Sequence, residues 1–128
     1  MTMNCSVRQL ADVTVLDLTG RFSLAEAVAF GPGSGLVLGD TVRDLTKNGR
    51  KKIILNLAGV TYVDSSGVGQ LVGALTSAHK HGAELRLLRP SKQLVDLLKL
   101  SKLDSIFDIK EEEATAVASF PRDAAATG

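Results

Sequence analysis

Ile53-Ile54-Leu55-Asn56-Leu57, and a few residues on Val63-Asp64-Ser65-Ser66-Gly67-Val68-Gly69, settle the architecture of this 128-residue chain. The first run is short, nearly continuous in apolar side chains and rich in β-branched residues, as in a strand buried on both faces. A second apolar patch, Val60-Thr61-Tyr62-Val63, leads into Asp64. From Ser66 onward Val68, Leu71, Val72, Leu75 and Ala78 recur at three- and four-residue spacing, the pattern of an amphipathic helix, and Gly82 closes it. A buried strand that runs into such a helix belongs to an α/β fold.

Working outward, Cys5 to Leu10 and Val13 to Leu18 read as an antiparallel hairpin around Ala11-Asp12, with Gly20 ending the second strand. Val13, Val15 and Asp17 point to one face, and Thr14, Leu16 and Leu18 to the other. Leu24 to Phe30 favours a helical turn or two before Gly31-Pro32-Gly33-Ser34-Gly35 breaks the structure. Val37, Leu38, Thr41, Val42 and Leu45 then predict a helix with Gly49 as its C-cap. Lys47, Arg50, Lys51 and Lys52 read as its basic end and a solvated turn.

Downstream, Glu84 to Leu88 is a strand ended by Arg89-Pro90, and Ser91 caps a helix carrying Leu94, Val95, Leu97 and Leu98. Ile106 to Ile109 suggests a last short strand, and Glu111 to Phe120 a final helix. The order β-β-α-β-α-β-α-β-α predicts a mixed sheet of four to five strands: an N-terminal antiparallel hairpin, then parallel strands. Right-handed crossovers added on one side place the helices mainly on one face and leave the other comparatively bare. The expected organisation is one domain over residues 1–120 and a flexible tail over 121–128.

Composition removes several function classes. A net charge of +1 gives no broad electrostatic drive toward nucleic acid or an anionic membrane, and 4% aromatics is poor for base stacking. The single cysteine, Cys5, rules out an internal disulfide or a cysteine zinc cluster and reads as a small buried hydrophobe. No run approaches the roughly 20 apolar residues of a membrane span, and no secretory signal is visible, so a cytoplasmic protein is expected.

The chemistry centres on Asp64-Ser65-Ser66-Gly67-Val68-Gly69. Asp64, Ser65 or Ser66 can each cap the helix by accepting from its free N–H groups. Gly67 and Gly69 let another surface approach the first turn. A phosphate on Ser65 would be tolerated by the helix N-terminus, partly opposed by Asp64, and would add about −1.5 to −2 charges to the surface. Such a change alters docking and leaves the fold standing.

Ile53 to Leu57 followed by Val63 to Gly69 resembles the central signature of STAS domains in bacterial anti-sigma-factor antagonists. The resemblance extends loosely from Val7 to Phe120, through Leu18-Thr19-Gly20 and the step from Gly82 to Leu88. It implies that Ser65, directly after the aspartate, is phosphorylated by an anti-sigma factor with serine-kinase activity. The unmodified form would then bind that factor and release a sigma factor, and a serine phosphatase would restore it. Asp64, Ser66, Gly67, Val68, Gly69 and Gln70 would surround the phosphosite and form part of the docking surface. No catalytic residue, cofactor or metal is implied, and the protein is expected to be a monomer or weak dimer rather than an enzyme. Two features depart from the family pattern. Arg21-Phe22-Ser23 stands where many relatives carry an acidic residue facing the phosphosite, and Leu24 to Gly35 is longer and richer in glycine.

Other readings compete with this one. Gly67, Gly69 and Gly73 form a G-x-G-x-x-x-G string, with Arg89 at the next strand end, which suggests a small nucleotide-binding domain. Dinucleotide loops, however, follow the first strand of a larger sheet. Gly73 is better explained by close helix packing. The run Gly31 to Gly35 lacks the Lys-Ser/Thr of a P-loop. His79 and His81 lie roughly 20 Å from Ser65 along the helix, too far for a Ser-His pair, and their spacing does not suit a two-histidine metal site. A STAS scaffold component of a stress-signalling assembly is the remaining alternative.

Overall fold

The computed structural model describes residues 4–22 and 38–120. Strands β1 (Asn4–Leu10), β2 (Val13–Phe22), β3 (Lys52–Val63), β4 (Glu84–Leu88) and β5 (Asp108–Lys110) alternate with helices α1 (Leu38–Lys47), α2 (Ser65–Lys80), α3 (Lys92–Leu100) and α4 (Glu113–Ala118). The five strands lie side by side in chain order. β1 and β2 are antiparallel, and every later pair is parallel. The expected helical turns between Leu24 and Phe30 and the glycine run Gly31 to Gly35 lie outside the described residues, as do Val37 and the tail.

The alternation in the hairpin sorts two cores. Leu16 and Leu18 join Ile53, Leu55, Leu57, Leu71, Leu85 and Leu87 beneath α1, α2 and α3. Val13 and Val15 join Ile54 and Leu88 on the opposite face. That second face is not bare: α4 covers it through Ala116, and Phe120, two residues past the helix, covers it too. Cys5 is half-buried at the edge of the first core, and its thiol is pushed up first by burial and then by the Asp17 charge.

Gly20 does not end β2. It takes φ 101° inside the strand, which continues to Phe22. The two apolar patches around Ala58-Gly59 are likewise one strand. Pairing passes from Asp17↔Asn56 to Thr19↔Gly59, and from Gly20↔Val60 to Arg21↔Tyr62, each time with one extra residue on β3. These bulges explain why the period-two pattern broke there. Gly59 is required: a Cβ would lie 2.6 Å from Thr19 Cγ2 and 3.1 Å from the Leu18 carbonyl oxygen.

The helix pair α1–α2 meets closely where Gly39 faces the backbone of Gly73, the glycine expected at a close packing point. A Cβ on Gly39 would sit 3.3 Å from the Gly73 carbonyl oxygen, whereas none of the described residues lies within 4 Å of a Cβ on Gly73. Gly49 and Gly82 end α1 and α2 with φ 83° and 73°. In the basic turn, Lys51 donates to the His81 carbonyl at 2.7 Å and Lys52 pairs with Asp12, so these two side chains brace the sheet end rather than simply facing water.

At the C-terminal end, β5 begins only at Asp108. Ile106 is 45% exposed and outside the strand, while Phe107 supplies the buried anchor. The last helix is also shorter than the predicted Glu111 to Phe120. Arg89 Nε donates to the Glu111 carbonyl at 2.9 Å, and regular helix starts at Glu113.

Candidate functional site

Parallel β3 delivers its C-terminal end to the same rim of the sheet at which α2 begins. Val63 is the last strand residue, Asp64 the link, and Ser65 the first residue of the helix. Of the three candidate caps, Asp64 performs the role: its Oδ1 accepts from the Gly67 N–H at 3.2 Å. Its carbonyl accepts from the Val68 N–H at 3.0 Å, the first helical bond.

Capping by Asp64 leaves Ser65 free to face outward. Ser65 is exposed, and so is Gly69 one turn later, where a Cβ would have none of the described residues within 4 Å. Together they give a small, low-relief patch at the positive end of a helix of 16 residues. Gly67 and Val68 turn the other way and are buried, so they support the turn from beneath. The Ser66 side chain lies outside the described structure. Gln70 is half-buried, and its Oε1 accepts from the Leu38 N–H at 3.1 Å, so it ties the start of α1 to α2.

One neighbour escaped the sequence reading. Gln93, exposed in the first turn of α3, accepts from the Val63 N–H at 3.2 Å through Oε1. The N-cap of α3 is Ser91, as expected, accepting from the Leu94 N–H at 3.1 Å. The starts of α2 and α3 are therefore joined across the end of β3. A glutamine just after a cap was the available signal, but nothing in its spacing names a partner one strand away.

The glycine string does not make a phosphate cradle. The Gly67 N–H that would meet a nucleotide phosphate is taken by the Asp64 carboxylate, which would repel one. His81 binds back to the Ser77 carbonyl through Nδ1 at 2.8 Å, and both histidines sit at the far end of α2, roughly 20 Å from Ser65. Among the described residues no cluster of His, Cys, Asp and Glu could hold a metal ion. No helix among them is long and apolar enough to cross a membrane. A surface hollow of about 490 Å³ lies at the opposite end of the sheet, between the hairpin turn and α4, lined mainly by Leu10, Ala114 and Val117.

Arg21, which stands in the segment that departs from the family pattern, is paired with Tyr62 and stacks on its ring at 4.6 Å. Ser23 lies outside the described residues.

Comparison with known proteins agrees with this geometry. The anti-sigma-B factor antagonist of Bacillus subtilis (strain 168) is 27% identical over 117 residues, spanning 91% of this chain and 99% of that protein. The crystal structure of tm1081 from Thermotoga maritima, a candidate anti-sigma factor antagonist, superposes with a TM-score of 0.72 at 25% identity, covering 89% of this chain and 92% of that one. The Bacillus cell fate determinant SpoIIAA in its phosphorylated form gives 0.63 at 18% identity, covering 91% and 100%. The family model of the STAS domain matches residues 4–116, so the chain belongs to the STAS domain family.

Proposed function

We propose that this protein is an anti-sigma-factor antagonist that works by reversible protein binding, with Ser65 as its phosphorylation switch. The observation that carries the reading is the exposed Ser65 at the first position of α2, its capping duty already met by Asp64. A kinase can reach this hydroxyl without unravelling the helix. Both histidines are a helix length away, so no Ser-His pair forms there. This favours a binding protein over an enzyme.

Phosphate on Ser65 would meet the partial positive charge of the α2 N-terminus and the opposing charge of Asp64. The fold should therefore persist while the low patch of Ser65 and Gly69 becomes bulky and anionic. In the unmodified state that patch, together with the exposed Gln93 of α3, is the surface offered to an anti-sigma factor with serine-kinase activity. Val68 and Gly67 act from below, and Gln70 holds α1 in place. A serine phosphatase would reset the switch, and the cytoplasm is the compartment in which such partners meet.

Intact-mass and phosphopeptide analysis of the protein from its native cells, before and after stress, should find one phosphate on Ser65 with changing occupancy. In binding assays with the kinase captured by the unmodified form, Ser65→Asp should weaken binding by about tenfold or more, a loss of about 1.4 kcal/mol. Ser65→Ala should bind and resist modification. Equal binding by Ser65→Asp and the wild type would defeat the switch.

A further inference from the structure

We propose that β1 is a self-association edge, through which two copies of this chain pair antiparallel about a two-fold axis at Val7. Among the described residues β1 is hydrogen-bonded on one side only, to β2, so toward them its outer side presents a row of unpaired N–H and C=O groups. Edges that must stay single are blunted by proline, by bulges or by charge. β1 lacks the first two of these. It contains no proline, and its register with β2 is unbroken from Asn4↔Thr19 to Leu10↔Val13.

Its one charged residue is already engaged. The Arg8 guanidinium holds Asp17 through two nitrogens and Glu113 at 2.6 Å, all within the same chain. On the face shared with the larger helices the strand shows Cys5, Val7 and Gln9, and Val7 is 57% exposed at the strand's midpoint. The opposite edge is shorter and carries more charge. β5 has three residues, and its Asp108 and Lys110 are paired at 3.1 Å. Head-to-tail growth of β1 on β5 would find a short, charged partner, so closed two-fold pairing of β1 with β1 is the favoured geometry.

A two-fold axis at Val7 lets the whole strand overlap. It sets Val7 against Val7, Cys5 against Gln9 and Ser6 against Arg8, so the two guanidiniums are not placed directly opposite each other. Ser65 follows β3, two strands inward, and stays exposed in both protomers. A dimer would thus carry two outward-facing switches. The inference does not depend on Ser65 being modified.

The test is sedimentation equilibrium of the full chain from micromolar to millimolar concentration. A monomer–dimer equilibrium is expected, weakened about tenfold or more by Val7→Lys at unchanged circular dichroism. Ser65→Asp should leave it unchanged, so loss of dimer and loss of kinase binding are read separately. In a Cys5→Ser background, Val7→Cys should form an intermolecular disulfide, because directly opposed residues lie about 4.5–5.5 Å apart at Cα. Gln9→Cys should not, since its copies would be displaced by about 13 Å along the strands. A wild type that stays monomeric throughout, a dimer indifferent to Val7→Lys, or equal crosslinking at Val7 and Gln9 would overturn the proposal.

Discussion

Asp64 and Gly59 carry specific duties that a residue-by-residue reading of the chain distinguishes only in part. Asp64 uses its side chain to cap α2, and its loss should cost about 1 kcal/mol. Asp64→Asn retains the acceptor and should keep most of that stability, whereas Asp64→Ala should lose it. Urea unfolding of both variants would separate capping from charge. At Gly59 the obstacle is steric: Gly59→Ala would press on Thr19 and on the Leu18 carbonyl. A cost of about 1–3 kcal/mol is expected in the same assay. Thr19→Ser, which removes the nearer methyl, should recover part of it. The capping set Asp64, Ser65 and Ser66 was legible as a set, because all three residue types accept from helix N–H groups. Which one acts depends on where each side chain lies relative to the Gly67 N–H. Gln70 and Gln93 were not legible as clamps, since a side-chain amide leaves no periodic trace and both reach groups far away in sequence.

Elements were easiest to read where alternation or helical spacing ran unbroken. The hairpin faces followed from Val13 and Val15 against Leu16 and Leu18, and the stripe of α2 from Val68 to Ala78. The reading failed where geometry slipped. Two bulges in β3 hid the continuity of the strand, and the positive φ of Gly20 looked like a stop. α4 was foreseen as a helix, but not as the cover of the second face, because its apolar anchors there are few: Ala116, the half-buried Val117 and the following Phe120. Polar groups supply the rest of its attachment. Arg8 reaches Glu113, and Arg86 donates to Ser119 at 3.1 Å while stacking on Phe120 at 4.6 Å. Glu113→Gln removes the charge from the first of these contacts. Hydrogen exchange should then quicken in α4 and along β1 while α2 remains protected, which would show that the latch is local.

For the molecule as a whole, acid should be the most revealing perturbation. Asp17 is held below the usual carboxylate range chiefly by its hydrogen bond from Arg8, helped by one from Asn56 at 2.7 Å. Asp12 is lowered by Lys52. Both folded values are depressed, so the stability they contribute is complete above the unfolded aspartate value of about 3.9 and is lost as pH falls through the folded values. Melting temperature should therefore drop below about pH 4, and less steeply in Asp17→Asn. An unchanged acid limb in that variant would remove Asp17 from the account.

The sheet runs β1-β2-β3-β4-β5, in the order in which the chain is written. A ribosome releases the strands in that same sequence, and each newcomer finds its neighbour already present, with at most one crossover to close. Assembly of the helical face can thus keep pace with synthesis. The other face cannot, because α4 emerges last, and until it arrives Val13, Val15, Ile54 and Leu88 stand open to water. For the nascent chain, that face is the interval of greatest exposure to aggregation and the first surface a chaperone would find.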